Sequence, residues 1–200
     1  IGGIAGEGRE ILAATGAIWA VITIVQSWTP PRPPPAPQRD PAQFWREYRD
    51  SARGFLLRTP PDWQAATSTT DATLAVGFTT TDTAELIQRG RVNPRYPYAL
   101  SIWVLPKIAD HPLVRGSDLK VATVEDFFAR VPTVAARGET TVDGERAYRF
   151  IANQGHQYFG LLVPRAGAVY ALHFERTWTD ARFDAATVER AVLETFRFTR

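Results

Sequence analysis

Cysteine is absent from this 200-residue chain, and so is methionine. A chain without cysteine forms no disulfide and has no thiolate chemistry, so it is indifferent to the redox state of its compartment; export is permitted but not established. The missing methionine extends to position 1, and the sequence is expected to be processed or to begin downstream of its start codon. Lysine is nearly absent: Lys107 and Lys120 are the only two, arginine supplies the rest of the positive charge, and the formal net charge is +2. That small excess, with no clustered basic face, argues against nucleic acid as a partner. Sequence signatures of catalysis are missing as well. No G-x-S-x-G, H-E-x-x-H or Walker pattern occurs. His111, His156 and His173 stand alone in the sequence and are expected at the surface; His111 and His156 would share a metal only if the fold brought them together. The glycine-rich start, GGIAGEG, does not follow a strand and reads as no phosphate loop. The carboxylate pairs Glu125-Asp126 and Asp180 with Asp184 read as helix starts. These residues predict no catalytic, cofactor-binding or metal-binding site, and the chain is not expected to be an enzyme.

Charge is also missing from one long run, Ile11 to Trp28 (ILAATGAIWAVITIVQSW). Eighteen helical residues at about 1.5 Å each span roughly 27 Å, close to the ~30 Å hydrocarbon thickness of a bilayer. Its seven aliphatic side chains favour insertion by roughly 2 to 4 kcal/mol, about the size of the penalty of one central arginine, so insertion depends on the lack of charge. A cleaved signal peptide would have a basic start and a small-residue cleavage site, and a buried core helix would have a polar face; neither is present. The run therefore predicts a single membrane helix, with Ile18, Trp19, Ile22 and Val25 as lipid or partner contacts and Trp28 as a boundary anchor. The few flanking arginines give little orientation signal. The arrangement of a signal anchor favours residues 1–10 inside and the folded domain on the periplasmic or lumenal side of the cell membrane.

Seven prolines between Pro30 and Pro41 follow the run. Proline fixes φ near the polyproline II value, so twelve such residues extend about 37 Å as a semi-rigid spacer, a reading preferred over an SH3-type ligand. The expected organisation is a tail at 1–10, a membrane helix at 11–29, a linker at 30–41 and one domain at 42–200, large enough to bury its own core.

Within the domain, Asp40-Pro41 reads as the cap and first position of a helix running to about Arg53. Phe44, Trp45 and Tyr48 alternate there with arginines, as if to dock on lipid headgroups or a membrane partner; the alternative is that they cap the domain's own core. GFLLRTP, TLAVGFTT and YALSIWVLP read as strands. Thr123 with Asp126 three residues later opens a helix carrying Phe127 and Phe128. Two hairpins follow, one turning at Asp143-Gly144 and one between Arg165 and Gly167. In the last strand Tyr170, Leu172 and Phe174 share one face, the alternation of a sheet covered on one side. A final helix from Asp184 places Val188, Val192 and Phe196 at helical spacing to cover the sheet. The loop QRGRVNPRYPYA interleaves Arg89, Arg91 and Arg95 with Tyr96 and Tyr98, residue types enriched where proteins meet; a solvated insertion fits it equally.

This order of elements resembles the PsbP/Mog1 family, which includes photosystem II extrinsic subunits and bacterial relatives. The resemblance rests on Phe55, Leu56, Pro60 and Trp63 in FLLRTPPDW, Gly144 and Ala147 in VDGERAYRF, and Phe196 and Phe198 in ETFRF, and it spans about seven tenths of the chain. It implies an α+β fold, an α-β-α sandwich with a mostly antiparallel sheet. It further implies a non-catalytic accessory subunit without a cofactor, stabilising or helping to assemble an integral-membrane complex, with a photosynthetic reaction centre or antenna as the host. The membrane anchor departs from the photosystem subunits, which are soluble and lumenal. Two alternatives stay open: a tethered ligand-binding or hydrolytic domain with a groove at His173, Glu175 and Arg176, and an assembly factor that holds its client only transiently.

Overall fold

Runs of aliphatic and aromatic residues that alternate in size between turn signals build two antiparallel sheets, seen in a computed structural model that describes residues 41–68, 71–80, 98–153, 157–175 and 185–199. The strands are β1 (Arg46–Asp50), β2 (Phe55–Thr59), β3 (Gln64–Ala66), β4 (Leu74–Thr79), β5 (Leu100–Leu105), β6 (Val134–Val142), β7 (Glu145–Asn153), β8 (Gln157–Arg165), β9 (Ala168–Glu175) and β10 (Arg197–Phe198). Among the described residues two α-helices join them, α1 (Val124–Arg130) and α2 (Ala185–Thr195). The larger sheet has the order β3-β4-β5-β9-β8-β7-β6 and the smaller β1-β2-β10. Every paired neighbour is antiparallel. The fold is α+β, mostly antiparallel sheet with few helices.

Strand alternation sorts side chains onto the two faces of the large sheet. Tyr170, Leu172 and Phe174 of β9 join Leu161 and Val163 of β8 in one cluster, which Val188 and Val192 of α2 cover together with Phe196, the residue just after the helix. The predicted helical face is the buried one, with these three residues at 2%, 0% and 0% exposure. Each contributes about 1.5 to 3 kcal/mol by leaving water. On the other face Ala171 and Leu162 lie beneath Phe127 of α1 and the apolar residues of the segment at 106–123. The sheet is thus covered on both faces, not on one, which is why β8 and β5 read as nearly unbroken apolar runs.

The Asp143-Gly144 turn and the Thr123 cap appear where the sequence puts them. Asp143 and Gly144 take φ of 49° and 81°, the positive values of a type I′ turn. Thr123 Oγ1 accepts the Asp126 N–H at 3.1 Å and Asp126 Oδ2 accepts the Thr123 N–H at 3.3 Å, a reciprocal box at the start of α1. The helix expected over 41–53 is instead one 3-10 turn, Pro41–Phe44, followed by β1. Pairing with β2 places Tyr48 opposite Leu57, and the extended strand lets Tyr48 pack edge-on against Phe78 at 5.3 Å in the core. Asp50 closes the turn by accepting the Arg53 N–H at 2.9 Å. The last helix ends one residue before Phe196: Thr195 bonds back to the Ala191 carbonyl at 3.0 Å and accepts the Arg58 N–H at 3.0 Å, and the chain leaves as β10 alongside β2.

Among the described residues no helix is long and apolar enough to cross a membrane. The apolar run at 11–28, the proline-rich linker and the cap at Asp184 lie outside them.

Candidate functional site

Chemistry-bearing side chains gather where the large sheet changes from big residues to small ones. His173 of β9 lies between Ser101 of β5 and Gly160 of β8 in register. Gly160 is required: a Cβ there would come within 2.1 Å of the Phe150 ring, which lies across its backbone. The small neighbours leave room above His173, and the segment after β5 returns over it and inserts His111. The two Nε2 atoms are 3.0 Å apart and His111 is fully buried. This overturns the expectation of solitary surface histidines; His156 lies outside the described residues.

Hydrogen bonding fixes the protons of the pair. The Leu113 N–H donates to His111 Nδ1 at 3.2 Å, so that nitrogen carries no proton. His111 therefore holds its proton on Nε2 and donates it to His173 Nε2, and His173 carries its own on Nδ1. Burial holds His173 down at about 3. His111 is also held well below the ordinary histidine value, first by burial and then by the proximity of His173. Both are neutral at pH 7.

Aromatic rings enclose the pair. Phe127 stands edge-on to His111 at 4.6 Å, and Tyr158, Phe150 and Trp103 lie 4.9, 5.9 and 6.2 Å from His173. The Trp103 indole donates to Ser101 Oγ at 3.0 Å. Burial, helped by the charge of Glu175, raises the Tyr158 hydroxyl above its ordinary value, so it stays protonated. A second polar tie holds the same segment: Arg115 grips Asp71 with both guanidinium nitrogens, one of them at 3.0 Å, and Asp71 also accepts from the Thr73 hydroxyl at 2.6 Å. The Arg115 hydrogen bond keeps the Asp71 carboxyl well below the usual carboxylate range.

This donor set does not suit a metal. Ligation through His111 Nε2 would move its proton to Nδ1, against the Leu113 N–H. Among the described residues no three His, Asp or Glu side chains are grouped to hold an ion. Nor is His173 poised as a base, since its Nε2 lone pair already accepts from His111. The arrangement is a structural clasp between a covering segment and the sheet.

Of the contact residues named from sequence, Phe44, Trp45, Tyr48 and Tyr98 are among the described residues. Phe44 is 74% exposed. Trp45 is 7% exposed within the core cluster and Tyr48 packs beside it, as the core-capping alternative holds. Tyr98 is partly buried, its ring lying directly over Gly77. Ile18, Trp19, Ile22, Val25, Trp28, Arg89, Arg91, Arg95 and Tyr96 lie outside the described residues, as does Arg176 of the expected groove. Sequence reasoning missed the His111–His173 pair, whose one signal was the placing of Ser101 and Gly160 on strands that turned out to flank β9.

No protein-family model matches the sequence, and no curated protein does. Among solved structures, the chain is similar to the solution structure of cyanobacterial PsbP (CyanoP) from Synechocystis sp. PCC 6803, with 17% identity over 76% of this chain and 91% of that one and a TM-score of 0.42.

Proposed function

We propose that this chain is a non-catalytic accessory subunit, anchored by its N-terminal apolar run and bracing an integral-membrane complex with its folded domain. One observation carries the reading: the two histidines best suited to chemistry in the described domain are engaged with each other and with the Leu113 N–H, beneath a layer of aromatic rings. An active site keeps such groups available to a substrate. The uncharged run at 11–28 and the proline spacer supply the anchor and stalk from sequence, with the domain on the periplasmic or lumenal side. A photosynthetic reaction centre or antenna complex is the host favoured by the motifs FLLRTPPDW, VDGERAYRF and ETFRF.

Purification of the full chain from native membranes in mild detergent tests this. It should migrate with a large complex at fixed stoichiometry and be extracted only by detergent. Recovery as a free monomer would refute the accessory role, and recovery in the soluble fraction without detergent would refute the anchor.

A further inference from the structure

The segment at 106–123 covers one face of the sheet as a strap. Ile108, Val114 and Val121 pack down onto it, over Trp103, Phe127 and Phe150. Two polar ties fasten it, His111 to His173 and Arg115 to Asp71. The first differs from the second because its protonation state is set by imidazoles, whose ordinary range lies above that of the Asp71 carboxylate. His111 receives an N–H at Nδ1 and gives one from Nε2, and His173 receives at Nε2. A proton added to His173 Nε2 sets two N–H groups against each other across 3.0 Å; a proton added to His111 Nδ1 sets N–H against the Leu113 N–H at 3.2 Å. Either addition converts an attraction into a repulsion.

We propose that the strap at 106–123 is an acid-opened latch, released from the sheet when the His111–His173 clasp is protonated and baring the aromatic face beneath. The groups facing the clasp give an imidazolium little support. From β5 come Ser101 and Trp103, from β7 Phe150, from α1 Phe127, and from β8 Tyr158, whose hydroxyl stays neutral. Glu175 of β9 acts on Tyr158, and burial alone governs His173. On the strap, the Asp110 carboxylate accepts the Lys107 N–H at 3.2 Å, and Arg115 is held by Asp71. The inference does not depend on the accessory role.

The test is amide hydrogen exchange on the full chain in detergent, corrected for the intrinsic pH dependence of exchange, at pH 6.5 and 4.5. If the open strap has histidines of ordinary pKa, its opening constant should rise about 50-fold when one imidazole takes up a proton and about 2,500-fold when both do. Amides at 106–123 should show that rise while β8 and β9 stay protected. A rise of less than tenfold, or loss of protection by strap and strands together, would overturn the proposal. In the double variant His111→Phe with His173→Phe, the rise should vanish. Should that variant fail to fold, histidine nitrogen NMR on the natural chain decides: a proton on His111 Nε2 and on His173 Nδ1 at pH 7 supports the latch, and either imidazole titrating near 6.5 with the strap still protected refutes it.

Discussion

The two faces of the large sheet are covered by different means. One lies under α2 and the small sheet, where Phe55 stacks on Phe196 at 5.7 Å and the packing is almost all apolar. The other lies under a single short helix and a strap with little regular structure, fastened by a histidine pair and an ion pair. Burial of hydrocarbon is indifferent to pH, whereas a tie made of neutral imidazoles is not. The difference teaches that one face supplies constant stability and the other conditional stability.

The largest effect should come from breaking the constant face. Val192 of α2 is fully buried in the first cluster, and Val192→Asp would put an unpaired carboxylate there. The cost should be about 4 kcal/mol or more, a large part of the 5 to 15 kcal/mol that holds a domain together. Circular dichroism of the full chain should show loss of cooperative unfolding at pH 7. A cooperative transition near that of the natural chain would mean that α2 does not cover this face.

Breaking the conditional face should cost somewhat less. Phe150 packs under the strap against Phe127 at 5.5 Å and across Gly160, so Phe150→Ala removes a large ring from a place that cannot collapse around it. A loss of about 3 to 5 kcal/mol is expected, read from the denaturant midpoint. The damage should be uneven, with amides of the strap losing protection before those of β9. If both are lost together, the two faces are one cooperative unit and the contrast fails.

How far this contrast was legible depends on sequence distance. Gly54 and Pro60 bracket β2 and Pro106 follows β5, the Asp143-Gly144 turn dictates its hairpin, and Thr123 with Asp126 caps α1; each is a local choice written in adjacent residues. The 41–53 stretch misled because Trp45 and Tyr48 fit helical spacing as well as Arg46, Tyr48 and Asp50 fit alternation, and only the β2 partner decides between them. His111 and His173 lie 62 positions apart and meet through strand register, which no window of sequence contains. β10 is two residues long and exists because β2 offers an edge. The apolar run at 11–28 and the arginine loop are legible as composition, and their structure lies outside the described residues.

A smaller, pH-dependent effect should sharpen the comparison. In the unfolded chain His173 takes up a proton near pH 6.5, while in the folded domain it does so only near pH 3. The unfolded state therefore binds more protons between those values, and stability falls as pH falls through that window. His173 alone should remove about 3 kcal/mol between pH 7.5 and 4.5, and His111 should add to this in the same direction. Asp71 acts in the same direction but at lower pH: its lowered carboxyl contributes stability above the ordinary carboxylate range and loses it only below. Denaturant midpoints across pH should thus decline below about 6.5, before any carboxylate is protonated. The double variant with phenylalanine at 111 and 173 should flatten that decline. A flat profile in the natural chain would show that the imidazoles are not held neutral by the fold.

The smallest effect belongs to the second tie. Arg115 is 38% exposed in its side chain while Asp71 is 13% exposed, so solvent screens the guanidinium but little of the carboxylate. Removing the cation by Arg115→Ala leaves Asp71 with the Thr73 N–H at 3.1 Å and the Thr73 hydroxyl, which soften its desolvation. The net loss should be about 1 kcal/mol at pH 7, as for a partly exposed pair. Its value lies in its pH profile. Without Arg115 the strap keeps the histidine clasp and its apolar packing, so strap exchange should be roughly fivefold faster at every pH with the same rise below pH 6.5, while the protection of β8 and β9 is unchanged. If instead Arg115→Ala moves the whole domain by several kcal/mol, the ion pair rather than the imidazoles is the fastening, and the conditional character of this face would belong to carboxylate chemistry below the ordinary carboxylate range.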